Sequence, residues 1–403
     1  MYRTCVLAML TVLPIGSGSA TAQDHDLALV GGTIYVSPTA PSLPDATVLI
    51  HGKTIAAVGR SSEIAVPKSA RVIPCAGKVI TAGFWNSHVH FETGWANAQE
   101  AASDKLEAQM QEMVTRWGFT TVWDLGSNPQ NTLTIRKRVE SGEVPGPRIL
   151  IAGDIFPKNG HPVYLPPEMQ LTEAATPEEA AQESRQYMQL GLDGIKLFTG
   201  AFMGNKPVVN MDTAIVKGAV SVAHDEHKPV FAHPQNRAGV DSAVAGGVDV
   251  LAHTIPNEMS FTDDEIRAMK THHVALSPTL TLWTTVVSDP ETQKRLVEYG
   301  VAELKQYSSA GGTILFGTDV GFQSKYDTTQ EYEFMGRAMS WREILASLTT
   351  NPSEFFKTPN EGTVAKGMRA DLVVLDGDPA QDVKNFAKVS AAIRDGRVIY
   401  SEQ

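Results

Sequence analysis

Residues 27–79 alternate apolar and polar side chains in short runs broken by Gly31-Gly32, Pro44-Asp45, His51-Gly52-Lys53 and Pro67-Lys68. That rhythm, with frequent turn pairs, predicts hairpin strands and little helix. The texture changes near Thr81. From there to about Phe356, short apolar β-prone runs alternate with stretches of helical period at 98–117, 177–190, 211–227 and 291–308. Strand–helix repetition over roughly 275 residues predicts a parallel (β/α)8 barrel rather than an open sheet. Beyond Gly362 the short period returns at 370–375, 389–395 and 397–400. Neither terminal β segment is long enough to bury a core alone. The two are expected to complete one small β-sandwich, 23–80 plus 360–403, into which a barrel of 81–359 is inserted.

The chemistry gathers where the predicted barrel strands stop. Side chains alternate along Trp85-Asn86-Ser87-His88-Val89-His90, so His88 and His90 share one face and Val89 takes the other. Lys196 ends a fourth apolar run, His233 a fifth, His253 a sixth and Asp319 an eighth. Catalytic groups of such barrels sit at the C-terminal strand ends. Imidazole nitrogens and a carboxylate oxygen suit zinc and similar ions, and a catalytic site leaves one position open for water. Lys196 is the odd member, because an ammonium cannot bind a cation. Burial beside divalent ions favours the neutral amine. That amine can add carbon dioxide to form a carbamate, a carboxylate long enough to bridge two metals. Each residue alone has an ordinary explanation, such as a helix cap for Asp319 or a solvated side chain for Lys196. Their joint order on strand ends points to a hydrolytic metal site.

Composition narrows the partners. The formal net charge is −11 and no Lys/Arg cluster runs along the chain, so nucleic acid and anionic membranes are excluded as main partners. Arg3, the apolar run 5–15 and Ala20-Thr21-Ala22 read as a secretory leader over 1–22. The expectation is an exported protein, periplasmic or secreted, with no membrane association after cleavage. Cys5 would leave with the leader and Cys75 cannot form an intrachain bridge alone, so stability must come from burial.

Several motifs frame these residues: Val79-Ile80-Thr81-Ala82-Gly83-Phe84, Thr120-Thr121-Val122, Ser277-Pro278-Thr279-Leu280, the run 314–319 and Gly367-Met368-Arg369-Ala370-Asp371-Leu372. Together they resemble the amidohydrolase superfamily, in its branch of imidazolonepropionase-like and Xaa-Pro dipeptidase-like proteins, over nearly all of the chain after the leader. The resemblance implies a (β/α)8 metal-dependent hydrolase barrel inserted in a composite β-sandwich. It implies that His88, His90 and Asp319 hold one divalent metal, zinc by default, that His233 and His253 hold a second, and that carboxylated Lys196 bridges them. It further implies cleavage of an amide by a hydroxide between the two ions, with Asp319 taking the proton and passing it to the leaving amine. His161, in a Gly-His after the third strand, matches a family position that approaches the substrate, as a binding or oxyanion-stabilising group.

The substrate is where the sequence departs from the family. Dipeptidase-like relatives often carry an arginine before the second-strand aspartate and a tyrosine two residues after the fifth-strand histidine; here those places hold Trp123 and Gln235. Both are taken as substrate-facing, with Lys158, Lys206 or Arg237 as substitute cations. Trp95, Trp123, Phe202, Met203, Trp283 and Tyr326 are expected near strand-end loops, favouring an apolar substrate body. A small peptide, an Xaa-Pro dipeptide or an N-acyl amino acid would fit. A mononuclear cyclic amidohydrolase or deaminase, a lactonase or other esterase, and a metal-free scaffold of the same fold stay open as alternatives. A homo-oligomer stays open too.

Overall fold

In the computed structural model, residues 26–92, 97–256 and 258–402 are described; the expected leader and Trp95 lie outside them. The alternating N-terminal segment forms strands β1 (Leu27–Ile34), β2 (Leu43–His51), β3 (Thr54–Arg60), β4 (Arg71–Pro74) and β5 (Val79–Ala82). The C-terminal segment adds β16 (Leu372–Leu375), β17 (Val389–Arg394) and β18 (Arg397–Ser401). All belong to one mixed sheet of order β18-β17-β16-β5-β1-β2-β3, with β4 beside β1. Its seam is β16 against β5, antiparallel, with Val374 opposite Ile80. Residues of β2 and β3 share one apolar cluster with residues of β16 and β17, as two facing layers of a sandwich do.

Strand β16 explains how two cores join. Its four residues are all buried. Leu372 and Val374 enter the sandwich core, whereas Val373 and Leu375 enter the larger core around the barrel. A strand covered on both faces reads as a continuous apolar run.

Between these segments lie the barrel strands β6 (Phe84–Val89), β7 (Phe119–Leu125), β8 (Arg148–Pro157), β10 (Gly194–Leu197), β13 (Val230–Ala232), β14 (Val250–Leu251) and β15 (Ala275–Leu276). They pair in parallel in that order. An eighth segment closes the ring through the parallel bridges Leu276↔Ile314 and Val89↔Val320. Short strands β9 (Glu173–Ala174), β11 (Gly200–Ala201) and β12 (Val209–Asn210) dress the loops. The helices are α1 (Ser103–Met113), α2 (Pro129–Glu140), α3 (Pro177–Gln189), α4 (Thr213–Asp225), α5 (Arg237–Gly246), α6 (Asp263–Thr271), α7 (Pro290–Ser309), α8 (Thr329–Gly336), α9 (Trp341–Leu348) and α10 (Thr350–Phe355). The expected helix at 98–117 is shorter, giving way to a 3-10 turn at Thr115–Trp117 that ends on left-handed Gly118. No helix among the described residues is long and apolar enough to cross a membrane.

Parity along the strands sorts the barrel. In β8, Ile149, Ile151 and Ile155 pack outward against the helices, while Leu150 and Ala152 point inward. The inward residues Trp85, Trp123, Phe231 and Leu315 fill the barrel, and Phe356 stacks on Trp85 with ring centroids 5.6 Å apart. This filled interior is the floor beneath the strand-end residues.

Candidate metal centre

His88 is the penultimate residue of β6 and His90 lies just beyond its end. Their Nε2 atoms face each other at 3.2 Å. Asp319 Oδ1 lies 3.1 Å from His88 Nε2 and 2.9 Å from His90 Nε2. Atoms bonded to a zinc ion at about 2.0–2.2 Å lie about 3.3–3.6 Å apart at the tetrahedral angle and about 2.8–3.1 Å apart at a right angle, which brackets these separations. The trio therefore fits a metal ion, and it is the one group of this kind that stands out among the described residues.

Barrel closure places Asp319. Its N–H donates to His88 O at 2.9 Å, and His90 N–H donates to Val320 O at 2.8 Å. Asp319 adopts φ +60°, a left-handed conformation that aspartate tolerates better than most residues. Gly321 follows at φ +102°, and a Cβ there would fall 1.7 Å from His90 O, so only glycine lets the last segment pass so close. His88 Nδ1 donates to Ala252 O at 3.0 Å, which leaves Nε2 with a lone pair for an ion.

The second set meets the first in one cavity of about 680 Å³, lined by His88, His90, Lys196, His233, His253 and Asp319 together. The His253 ring lies 4.7 Å from that of His88 and 4.6 Å from that of His233. His233 follows β13 and stacks on Phe198 at 4.9 Å. Lys196, in β10, is 1 % exposed. Burial pushes its ammonium down to about 7, although Asp319 and Asp154 pull the other way. Burial, then the Lys196 charge, pushes His88 down to about 4 and His233 down to about 3, so both are neutral at ordinary pH, the form that can bind an ion. Burial also raises the Asp319 carboxyl, but His88 and His90 outweigh it and hold Asp319 well below the usual range.

Lys196 has a consequence for stability. Its folded value of about 7 lies below the ordinary 10.5, so the unfolded chain binds the extra proton between those values. Metal-free protein is therefore expected to gain stability as pH rises from about 7 to about 10.5. Lys196→Met should flatten that slope in denaturant titrations at several pH values; an unchanged slope would assign it to other groups.

Three site residues escaped the sequence reading. Asp154 is opposite Lys196 in the β8–β10 register and lines the cavity. Burial, then Glu92, raises its carboxyl to about 7. A lone aspartate at an inward position of an apolar strand was the available signal. Thr279, at φ +47°, places Oγ1 2.7 Å from His253 Nδ1. Glu331, fully buried on α8, holds that loop by accepting from Leu280 N at 2.8 Å and Thr281 N at 2.7 Å. Thr279→Val should keep the fold and lower metal affinity about 10- to 100-fold, the usual cost of an outer partner. Competition with a chromogenic chelator reads this, and unchanged affinity would remove Thr279 from the site.

The expected substrate residues divide. Gln235 lines the cavity, its Oε1 3.4 Å from His233 Nε2. Trp123 does not: it is buried in the barrel interior against Phe231 and Phe356, ring centroids 4.9 and 5.2 Å away. It lies two residues below cavity-lining Leu125, roughly 6.6 Å deeper along the strand. His161 is outside the lining; its Nδ1 faces Pro162 O at 3.2 Å and its Nε2 is buried without a partner. Phe202 and Trp283 line the cavity, whereas Met203 and Tyr326 do not. The substitute cations are engaged or elsewhere: Lys158 pairs with Glu173, Arg237 pairs with Glu258 and Glu265, and Lys206 is exposed outside the lining.

Comparison with known proteins agrees with this fold. Ochratoxinase of Aspergillus niger is 23% identical over an alignment covering 92% of this chain and 86% of the relative. A structure provisionally described as a prolidase of Bifidobacterium longum superposes with a TM-score of 0.79 at 24% identity, covering 94% of this chain and 96% of its own. A Xaa-Pro dipeptidase with methionine bound in its active site gives 0.77 at 21%, covering 94% and 100%. The model of the amidohydrolase family matches residues 79–399. That match runs from the sheet seam through every strand-end candidate to β18, so the chain belongs to the amidohydrolase family, hydrolases of carbon–nitrogen bonds.

Proposed function

We propose that this chain is an exported amide hydrolase that works with two divalent ions, one held by His88, His90 and Asp319, the other by His233 and His253, with carboxylated Lys196 between them. The observation that carries the reading is a lysine buried in the same cavity as five metal-ligand side chains. A lone buried ammonium there would be costly, whereas a carbamate would join the ligand set. The leader-like pattern of residues 1–22 supports export. The similarity to an ochratoxinase and to Xaa-Pro dipeptidase structures supports a small amide or peptide as substrate.

Bound ions would supply an activated water and polarise the scissile carbonyl. The chain's own residues do the rest. Asp319, kept ionised beside two imidazoles, accepts a proton from the attacking water and returns it to the departing amine. Asp154, raised to about 7, can hold a proton on the cavity wall near neutral pH. Phe156, Phe198, Leu282 and Trp283 line the cavity and exclude bulk water from the substrate body. His161 lies outside the cavity lining, and it is proposed to meet the substrate only where the loop after β8 shifts to bring its buried, unpartnered Nε2 to the cavity.

The test is metal per chain by elemental analysis on protein purified with bicarbonate, together with a panel of N-acyl amino acids, Xaa-Pro dipeptides and matching esters. Two equivalents with faster amide than ester turnover uphold the reading. One equivalent with turnover of cyclic amides favours a mononuclear enzyme, for which the His88–His90–Asp319 trio alone suffices. No metal after reconstitution sinks the hydrolase.

A further inference from the structure

We propose that Arg295 determines specificity by binding a carboxylate on the substrate, which makes the preferred substrate an N-acyl amino acid with an apolar body. The proposal rests on the amide-hydrolase reading above and narrows it. Helix α7 follows the seventh barrel strand and lays one face along the cavity, through Thr292, Arg295, Leu296 and Tyr299. Those positions fall at i, i+3, i+4 and i+7, a single helical stripe. Lys196 and Arg295 are the only lysine or arginine in the lining among the described residues, and Lys196 is enclosed with the metal ligands.

Arg295 is open to a ligand. Among the described residues its side chain makes one hydrogen bond, Nη2 to Thr292 Oγ1 at 3.5 Å, at the outer limit of such bonds, and it attracts the exposed Asp289 carboxylate without closing an ion pair with it. Arg237, by contrast, is clamped by Glu258 at 3.1 Å and Glu265 at 2.7 Å. The carboxylates of the cavity, Glu92, Asp154 and Asp319, all interact with His90 and so gather at the metal-ligand end. An anionic group on a substrate is repelled there and attracted to the guanidinium, which can take a carboxylate with two parallel hydrogen bonds.

The walls define the rest of the substrate. Tyr164, Met169, Phe202 and Val286 are large apolar side chains that stay exposed, and all four line this same cavity. Exposed apolar groups gathered at one opening mark a binding surface. The fit is an amide with an apolar body and one carboxylate.

The experiment uses the metal-loaded protein and an uncleavable ketomethylene isostere of N-benzoyl-L-phenylalanine, as the free acid and as the primary amide, with binding measured by calorimetry. The wild type should bind the acid about 10- to 100-fold more tightly than the amide, the usual worth of a charge-assisted bond. Arg295→Met should abolish that preference while leaving the affinity for the amide form unchanged, which also shows the variant is folded. Equal binding of both forms by the wild type, or a preference that survives in Arg295→Met, overturns the assignment, and failure of both forms to bind overturns the substrate class. Turnover of N-benzoyl-L-phenylalanine itself is read separately. Acid preference without turnover upholds Arg295 and sinks the hydrolase reading; turnover without acid preference does the reverse.

Discussion

An Asp319→Asn enzyme is expected to hydrolyse its amide substrate about 10³- to 10⁴-fold more slowly than the parent. Loss of a positioned acid–base group alone costs about 10² to 10⁴, and here the same carboxylate also belongs to the cluster with His88 and His90 that could hold a metal ion. The substitution is a clean probe because asparagine tolerates the φ of +60° and keeps the backbone bond from residue 319 to His88 O. Fold and melting behaviour of the metal-free protein should therefore be nearly preserved. His90 offers an independent readout. Burial lowers its ring, but Asp319 outweighs that and holds it above its ordinary value. In metal-free Asp319→Asn that support is gone, so the His90 pKa should fall on titration by NMR. Activity within tenfold of the parent would remove Asp319 from the chemistry.

Lys196→Ala is expected to lower bound metal from two equivalents to one or fewer and to cost at least about 10²-fold in kcat. The nearby ions would lose their shared anionic ligand, and Lys196 is enclosed enough that water cannot reproduce it in place. Truncation leaves a polar-lined space beside Asp154 and His233, so formate or acetate at millimolar concentration should restore part of the metal content and activity. A Lys196→Met variant fills that space and should not respond. Unchanged metal in Lys196→Ala would sink the carbamate and leave a single-ion enzyme.

Adjoining the cavity is a wider hollow of about 1020 Å³, lined in part by Asn97, Asn128, Gln130 and Asn131. It shares Glu92, Tyr164, Leu165, Met169 and Phe322 with the first cavity but contains none of its histidines.

Much of this site was legible before any coordinates. Barrel ligands sit at strand ends, and strand ends can be read from where short apolar runs meet turns, so His88, His90, Lys196, His233, His253 and Asp319 could be named from the chain alone. The structure brings all six to one cavity. Trp123 shows the limit of the same rule. Parity along β7 says that it points inward, as does Leu125, but not that two residues of depth separate barrel filling from cavity lining.

What the sequence by itself determined was the period of each segment and the type of donor at each strand end, because both are local properties of consecutive residues. Only the tertiary structure decided which helix face meets the cavity and which buried acid steadies which loop. Arg295 becomes a cavity residue through the docking of α7, and Glu331 comes within 2.8 Å of Leu280 N from 51 positions away. Such contacts depend on how separately folded elements pack, and no spacing within either element records them.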